Sequence, residues 1–291
     1  MRTLTILVLA VFLVACTSDA QKDRLTPEVI KLGVLPDQEQ ASLLVKYSPL
    51  VDYLSAQTGL KIELELSTDY AAMLDDFHAH RIHLANFGGL TFTEAERRDN
   101  AEPLVMRDTD LNFASCYLVR TQDTRETVRE FGGEKFAFGP ELSTSGHLMP
   151  RYFLQADGLD PEAFFASVQH TSGHDETAIR VRDGAVDIGV ANCVIVTSMD
   201  TDGRLRPNEV RILETTPAYA NYVWAIQENM DSSIKARLRD AFLTLDVLMP
   251  EHQKILLNLG ANAYLPASRA DFNEVRRAAR MMQVAATPGL E

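Results

Sequence analysis

Three consecutive hydroxyl residues, Ser143, Thr144 and Ser145, are the side chains whose types and spacing most clearly suggest chemistry. They follow a strand-like run that ends at Phe138 and a Gly-Pro pair, and they precede an apolar segment of helical spacing that ends near Gln155. The first backbone N–H groups of a helix have no partner within it and lie at the positive end of its dipole. Together with the hydroxyls, these groups can bind a tetrahedral oxyanion without adding charge. The stretch therefore predicts an anion site at the start of a helix.

An ordinary helix cap is the alternative for the same residues, because Ser and Thr are favoured there and a cap needs only one hydroxyl. Pro150 adds a restriction. If Ser143 caps the helix, Pro150 lies beyond the first turn and cannot donate a hydrogen bond, so we expect a kink or a later helix start. Gly146 is expected to let the backbone approach a ligand closely.

Strand and helix signals alternate along the chain, which predicts an α/β fold with mainly parallel sheets flanked by helices. Ile62, Leu64 and Leu66, for example, alternate with charged residues as in a half-buried strand. Ligands in such folds bind beyond the carboxyl ends of the strands. Four segments at such ends are expected to meet in one cleft: Asp69-Tyr70, Phe87-Gly88-Gly89, Ser143-Thr144-Ser145 and Gly173-His174.

The order of the elements favours two lobes, with a chain that crosses between them twice. Lobe 1 is predicted to contain residues 28–120 and 213–291, and lobe 2 is predicted to contain residues 121–212. We find no internal repeat and no second apolar span in the sequence. The predicted cleft lies between the two lobes.

Composition and charge exclude some classes of partner. The 291 residues are 46% hydrophobic and 24% charged, which is typical of a globular chain with one large or two medium cores. A formal net charge of −13 argues against nucleic acid as a partner. It does not argue against an anion site, because a buried site acts through local dipoles and donors.

Residues 1–16 have the pattern of a secretory signal: a basic start, a short apolar run and a small residue before Cys16. The apolar run is too short to be a permanent membrane span. Leu13-Val14-Ala15-Cys16 resembles a bacterial lipobox, so we expect Cys16 to be the lipidated N-terminus of the mature protein. A plain signal peptide with an incidental cysteine is the alternative. Residues 17–27 are polar and are expected to form a flexible tether at the membrane surface.

Two further cysteines, Cys116 and Cys193, lie in apolar, strand-like runs. Spacing alone does not show whether they pair, and free cysteines are often simply buried in such runs. We expect two free thiols. If either thiol faces the cleft, a soft oxyanion such as arsenite becomes an alternative ligand.

The hydroxyl-rich stretch also resembles a family signature. The sequence Ser-Thr-Ser-Gly-His-Leu-Met-Pro-Arg-Tyr-Phe-Leu at 143–154 is similar to that of the phosphonate-, phosphite- and phosphate-binding proteins of ABC importers. It is most similar to a branch often labelled putative selenate-binding. Three further stretches, 68–72, 86–92 and 172–178, follow in the expected order, and the resemblance extends over residues 28–270. It implies the type II periplasmic binding fold and a small oxyanion as ligand.

The resemblance implies roles for several residues of the cleft. Tyr70 is expected to donate its hydroxyl hydrogen to the ligand, with a tyrosine that merely covers the sheet edge as the alternative. His174 is expected to donate from its imidazole, with an affinity that changes across pH 5 to 8. Phe87 stands where the family usually has an aromatic residue, and a Phe packs but cannot donate. Gly88 and Gly89 are expected to leave their N–H groups open to the ligand.

Asn192 and Asn221 are expected to complete the wall of the cleft. In relatives that take aminoalkylphosphonates, acidic residues in these two regions bind the ammonium group of the ligand. Cys193-Val194 and Asn221 stand there in this chain, and they would leave an ammonium unpaired. We therefore expect a small oxyanion without a tail, such as phosphate, phosphite, methylphosphonate or a selenate-like ion.

No catalytic, cofactor-binding or metal-binding motif stands out in the sequence. It contains no Gly-X-Ser-X-Gly, no His-Glu-X-X-His, no phosphate-binding loop with Lys and no Cys-X-X-Cys. We therefore expect no enzyme and no cofactor. The chain is interpreted as a monomeric, lipid-anchored, periplasmic binding protein that delivers its ligand to an ABC permease. The alternative is a sensor protein that presents an oxyanion such as arsenite to a membrane histidine kinase.

Overall fold

Two mixed β-sheets flanked by helices make up the described part of the chain, which confirms the predicted α/β fold. The computed structural model describes residues 24–282. Cys16, the signal segment and most of the predicted tether lie outside these residues. No helix between residues 24 and 282 is long and apolar enough to cross a membrane.

Six strands form the first sheet: β1 (Val29–Val34), β2 (Lys61–Leu66), β3 (Leu84–Phe87), β4 (Glu102–Arg107), β10 (Val223–Ile226) and β11 (Tyr264–Pro266). Their order across the sheet is β11-β4-β10-β3-β1-β2. β1 pairs in parallel with β2 and β3, whereas β10 runs antiparallel to β3 and β4, and β11 antiparallel to β4.

Five strands form the second sheet: β5 (Ser115–Arg120), β6 (Lys135–Phe138), β7 (Ser167–His170), β8 (Ile188–Asn192) and β9 (Val210–Thr215). Their order is β7-β6-β8-β5-β9. β6 pairs in parallel with β7 and β8, and β5 runs antiparallel to β8 and β9.

Both sheets are mixed because of the path of the chain. The alternation of strand and helix signals in the sequence predicted mainly parallel sheets instead. In each sheet the parallel pairs lie on one side and the antiparallel pairs on the other. β5 enters the second sheet directly from the first, and β10 returns to the first sheet from the second. Each of these two strands runs opposite to the strands beside it.

The chain crosses between the sheets through residues 108–114 and 216–222, because β4 and β10 belong to the first sheet and β5 and β9 to the second. The predicted boundaries at 120 and 213 are therefore displaced: β5 ends at Arg120, and residue 213 lies inside β9. Reciprocal backbone hydrogen bonds of 2.9 Å between Phe113 and Tyr219 join the two crossings. Lobe 1 is the first sheet with its helices, and lobe 2 is the second sheet with its helices.

The α-helices of the described residues are, in chain order, α1 (Gln40–Thr58), α2 (Tyr70–His78), α3 (Gly89–Asp99), α4 (Met149–Ala156), α5 (Pro161–Phe164), α6 (His174–Arg182), α7 (Cys193–Asp202), α8 (Ser232–Leu243), α9 (Pro250–Leu259) and α10 (Asn273–Met282). Helices α4 to α7 lie between strands of lobe 2, and the others belong to lobe 1.

Cys116 on β5 and Cys193, the first residue of α7, form a disulfide bond with their Cα atoms 5.2 Å apart. The expectation of two free thiols is therefore wrong. Cys116 pairs with Ala191 in the register of β5 and β8, so the sheet brings the two cysteines together. The bond joins residues 77 positions apart, and disulfides that close long loops typically contribute about 2–4 kcal/mol. An arsenite site that needs a free thiol loses its support.

One apolar cluster is shared by the two lobes. Phe92 of α3 and Val275 of α10 contribute to it from lobe 1, and Leu148 and Met149 contribute from lobe 2. All four side chains are fully buried. Helix α10 also packs on α4 and on the turn that precedes it. Since burial of a large apolar side chain is worth about 1.5–3 kcal/mol, this cluster helps to hold the lobes together.

Candidate anion-binding site

The hydroxyl stretch forms a tight turn after β6, at the junction of the lobes. Residues Thr144–Leu148 make a π-helical turn, and α4 begins only at Met149, so the late helix start expected from Pro150 is confirmed. Pro150 has no N–H to donate into the turn. The carbonyl of Gly146 accepts instead from the N–H of Gly139 at 2.7 Å.

The start of this turn presents donors to an anion. The N–H groups of Thr144 and Ser145 have no acceptor inside the turn. Ser143 caps it, and its Oγ accepts from the N–H of Gly146 at 2.9 Å. A Cβ on Gly146 would lie 2.9 Å from Gly139 Cα and 2.9 Å from His174 Cε1. The packing of the turn alone therefore explains why residue 146 is a glycine. The predicted role of Gly146 in the close approach of a ligand is not required to explain it.

His174 fixes the orientation of the Ser143 hydroxyl. Its imidazole is fully buried, and Nδ1 accepts from the N–H of Asn192 at 3.1 Å. Nδ1 therefore carries no proton, and Nε2 donates to Ser143 Oγ at 3.3 Å. Because Ser143 Oγ already accepts hydrogen bonds from His174 and Gly146, its own hydrogen is left for another acceptor.

Burial also determines the charge of His174. It lowers the pKa of the imidazole to about 4. Burial therefore favours the neutral ring between pH 5 and 8 in the ligand-free protein, and the change of affinity across that range stays a prediction.

Thr144 reaches across to lobe 1. Its Oγ1 accepts from the N–H of Leu90, in the first turn of α3, at 2.8 Å. Asn221 Oδ1 accepts from the N–H of Gly89 at 3.3 Å, so the expectation that this N–H stays open is wrong. A Cβ on Gly88 would lie 3.1 Å from Thr144 Oγ1 and 3.5 Å from Asn221 Oδ1. Gly88 is thus a point of close contact between the lobes.

Two donors beside these groups have no hydrogen-bond partner among the described residues: the hydroxyl of Tyr70 and Nδ2 of Asn221. Both residues are buried, and Tyr70 is the first residue of α2. Burial raises the pKa of Tyr70 well above its ordinary value, and the nearby hydroxyl of Ser143 opposes that rise. The hydroxyl of Ser145 instead lies beside the phenol of Tyr219. Unpaired buried donors cost free energy, so Tyr70 and Asn221 are open to a ligand.

A buried carboxylate that the sequence analysis missed, Asp37, belongs to the same site. It follows β1 at its carboxyl end, where the rule that selected Asp69-Tyr70 applies equally. Its Oδ2 accepts from the hydroxyl of Tyr222 at 2.8 Å, and that hydroxyl accepts from Nδ2 of Asn192 at 3.1 Å. Its Oδ1 has no partner among residues 24–282.

Asn192 and Phe87 support the site from outside. The Oδ1 of Asn192 caps α7 by accepting from the N–H of Val194 at 2.9 Å, and its Nδ2 is bound to Tyr222. Phe87 is fully buried in lobe 1, where its ring packs edge-on against Phe77 at 5.3 Å between centroids. Their contribution is therefore the position of neighbouring groups.

Further hydrogen bonds join the lobes around the site. The N–H of His174 donates to the carbonyl of Asp37 at 2.9 Å. Asp175 Oδ2 accepts from the N–H of Glu39 at 2.8 Å and lies 3.5 Å from the guanidinium of Arg204. Beside these contacts a groove of about 590 Å³ opens between α1, α7 and α9. Among the described residues, no group of three or more metal-binding side chains is placed to hold a metal ion.

Two α/β lobes, joined by two crossings and with polar groups of both lobes at their junction, define a periplasmic binding protein of type II. The chain belongs to the periplasmic substrate-binding proteins of phosphonate ABC transporters, whose family model matches residues 32–272. The resemblance seen in the sequence is thereby confirmed at the level of the family. The assignment to the branch labelled putative selenate-binding stays a prediction.

Individual relatives agree with this assignment. The chain is 28% identical over 268 residues to the probable ABC transporter phosphite binding protein PhnD1 of Prochlorococcus marinus, a match that covers 88% of this chain and 90% of that protein. It is 27% identical over 229 residues to the phosphate-import protein PhnD of Mycolicibacterium smegmatis, which covers 74% and 71% of the two chains. The structure of P. marinus PhnD1 in complex with methylphosphonate matches with a TM-score of 0.82 and 26% identity, over 89% of this chain and 100% of that one.

Proposed function

We propose that this protein binds a small tetrahedral oxyanion between its lobes, closes on it and delivers it to the permease of an ABC transporter. The observation that carries the proposal is the set of donors without an acceptor at the lobe junction. The Tyr70 hydroxyl and Asn221 Nδ2 are two of them, and the N–H groups that start the π-helical turn are the others. A tetrahedral oxyanion offers acceptors in all the directions that such donors require.

The nature of the anion follows from the relatives. Their names speak of phosphite, phosphate and phosphonate, and one solved relative holds methylphosphonate. A phosphorus oxyanion is therefore the ligand that we propose. The mechanism is hinge closure, in which the ligand stabilises the closed form because it contacts both lobes only there.

The Ser143–His174 pair supports a binding role rather than catalysis. A serine is activated as a nucleophile when a neighbouring imidazole accepts its proton. Here Nδ1 of His174 accepts from a backbone N–H, so Nε2 is protonated and donates to Ser143. The imidazole cannot act as a base toward this hydroxyl, and we infer that the protein is not an enzyme.

Calorimetry of Ser143→Ala tests the proposed site. Loss of a hydrogen bond to a charged ligand costs about 1.5–3 kcal/mol, so we expect affinity for phosphate, phosphite or methylphosphonate to fall by about tenfold or more. Ser167→Ala, an exposed serine on β7 of the same lobe, is the matched control and should bind like the wild type. The proposal fails if no phosphorus oxyanion binds the wild-type protein, or if Ser143→Ala binds one unchanged.

Anchoring is part of the proposal and depends on Cys16, which lies outside the described residues. With Cys16→Ser, the protein should move from the membrane fraction to the soluble fraction of the cell envelope, as measured by immunoblotting. Equal membrane association of the two forms would contradict lipidation at this position.

A further inference from the structure

One group of the site that is open to a ligand differs from the others because it carries no hydrogen to donate. Ser143 and Asn221 offer hydrogens and the hydroxyl of Tyr70 can donate or accept, but Oδ1 of Asp37 can only accept while the carboxyl is ionised. The residue is only 3% exposed, and this oxygen has no partner among the described residues. A hydrogen donor on a bound ligand would satisfy this buried acceptor.

The other atoms of Asp37 are fixed by their own partners. Oδ2 accepts from the hydroxyl of Tyr222, and the backbone carbonyl accepts from the N–H of His174 across the cleft. The hydroxyl of Tyr222 is held in turn by Asn192. The carboxylate thus has a fixed orientation, and its Oδ1 accepts no hydrogen bond from the described residues, although the side chain of Gln38 lies beside the carboxyl group.

The cationic side chains near Asp37 are not bound to its Oδ1 atom. Burial raises the pKa of this carboxyl, and Lys46 and Arg107 oppose the rise. Neither cation forms an ion pair with it, and Arg107 is bound to Asp110 at 2.6 Å instead. The other titratable groups that act on it are the phenols of Tyr47, Tyr70 and Tyr222.

We propose that Asp37 selects the ligand according to whether the ligand carries a proton. Oδ1 accepts the hydrogen of a P–OH group. The site therefore takes a singly protonated phosphorus oxyanion and rejects sulfate and selenate. The inference rests on the proposed oxyanion site. Sulfate and selenate are fully ionised at neutral pH, so they place a lone pair against the carboxylate. Two acceptors in contact in a buried site repel each other, whereas a P–OH group satisfies both oxygens.

Titration calorimetry of the wild type and Asp37→Asn with phosphate, methylphosphonate, sulfate and selenate at pH 7 tests this. The Asn variant keeps a carbonyl oxygen for Tyr222 and turns an N–H₂ donor toward the ligand. We expect the wild type to prefer phosphate or methylphosphonate over sulfate by about 100-fold, and Asp37→Asn to reduce this ratio by about tenfold or more. Asp52→Asn, an exposed acid on α1, is the control and should keep the wild-type ratio.

The outcomes separate this inference from the proposed function. If no anion binds the wild type, the oxyanion site itself is wrong. If anions bind but the ratio is unchanged in Asp37→Asn, or sulfate binds the wild type as tightly as phosphate, only the role of Asp37 is overturned. A preference for 2-aminoethylphosphonate over methylphosphonate that depends on Asp37 also overturns it, because the carboxylate then serves an ammonium group.

A measurement on the wild type alone covers the case in which Asp37→Asn does not fold. Calorimetry in buffers of different ionisation heat counts the protons taken up on binding. Methylphosphonate offered as the dianion should bind with the uptake of one proton, and binding without uptake would contradict the proposal. Sulfate bound with the uptake of one proton would place the hydrogen on Asp37 itself and would also contradict it.

Discussion

His174 gives the site its clearest pH signature, because it is fully buried and both ring nitrogens are engaged. Its pKa in the folded protein is about 4, whereas a histidine in an unfolded chain has a pKa of about 6.5. As the pH falls through this interval, the unfolded chain gains a proton that the folded protein does not accept. Folding stability is therefore lost between these two values, by roughly 3 kcal/mol at the lower end.

His174→Gln tests this pH dependence, because an amide can accept from Asn192 and donate to Ser143 without titrating. We expect the free energy of unfolding to fall less steeply from pH 6.5 to 4 in this variant than in the wild type, as measured by urea denaturation. His80→Asn changes an exposed histidine and should leave the wild-type slope. Equal slopes in His174→Gln and the wild type would show that the imidazole does not carry the effect.

Sequence reasoning located part of the site and missed part of it, for physical reasons. Ser143 and Thr144 carry a local pattern, a hydroxyl run after a strand, whereas His174 was selected mainly by the family resemblance, and the structure brings the three to one place. Asp37 also follows a strand, but it lies in no hydroxyl run and in none of the stretches that carried the family resemblance. Its role depends on Tyr222, 185 positions away, and only the folded chain shows that one of its oxygens stays unpaired.

At the scale of elements, residues close together in the chain determine the shape of the turn after β6. Pro150 removes a donor, the α-helix starts at Met149, and the preceding π-helical turn leaves a carbonyl for Gly139. The late helix start was predicted from the sequence because it depends on residues close in the chain, whereas the π-helical turn and the bond to Gly139 were not predicted. The end of β6 at Phe138 was predicted correctly for the same reason.

Strand pairing could not be predicted in the same way. The direction of β5 and β10 depends on which sheet each strand joins after a crossing, and no local pattern encodes that choice. The disulfide has the same cause: Cys116 and Cys193 meet because β5 pairs with β8, not because of their spacing. Apolar strands with a single cysteine look alike whether or not they become neighbours.

At the scale of the whole molecule, contacts between the lobes should set the affinity for the ligand. Asp175 on α6 accepts from the N–H of Glu39 of lobe 1 at 2.8 Å, while Arg204 of its own lobe lies 3.5 Å away, so the contact with Glu39 would stabilise the closed form in the proposed mechanism. Loss of such a contact shifts the population toward an open form without any change at the anion.

Asp175→Ala should therefore weaken anion binding by about fivefold to tenfold, since one hydrogen bond contributes about 1 kcal/mol. Solution X-ray scattering without ligand should show a larger radius of gyration than that of the wild type. Asp183→Ala, which changes an exposed residue at the other end of α6, is the control. An unchanged affinity together with an unchanged radius would contradict this role of the lobe contacts.

The apolar cluster shared by the lobes has a thermodynamic consequence for the ligand. An oxyanion buries almost no hydrocarbon when it binds, but Leu148 and Met149 share a buried cluster with Phe92 and Val275, which an opening of the lobes would expose and the proposed closure would bury again. Removal of apolar surface from water lowers the heat capacity, whichever molecule supplies that surface. The heat-capacity change on binding would therefore resemble that of a small folding step. Its size would report on the movement of the protein rather than on the chemistry of the ion.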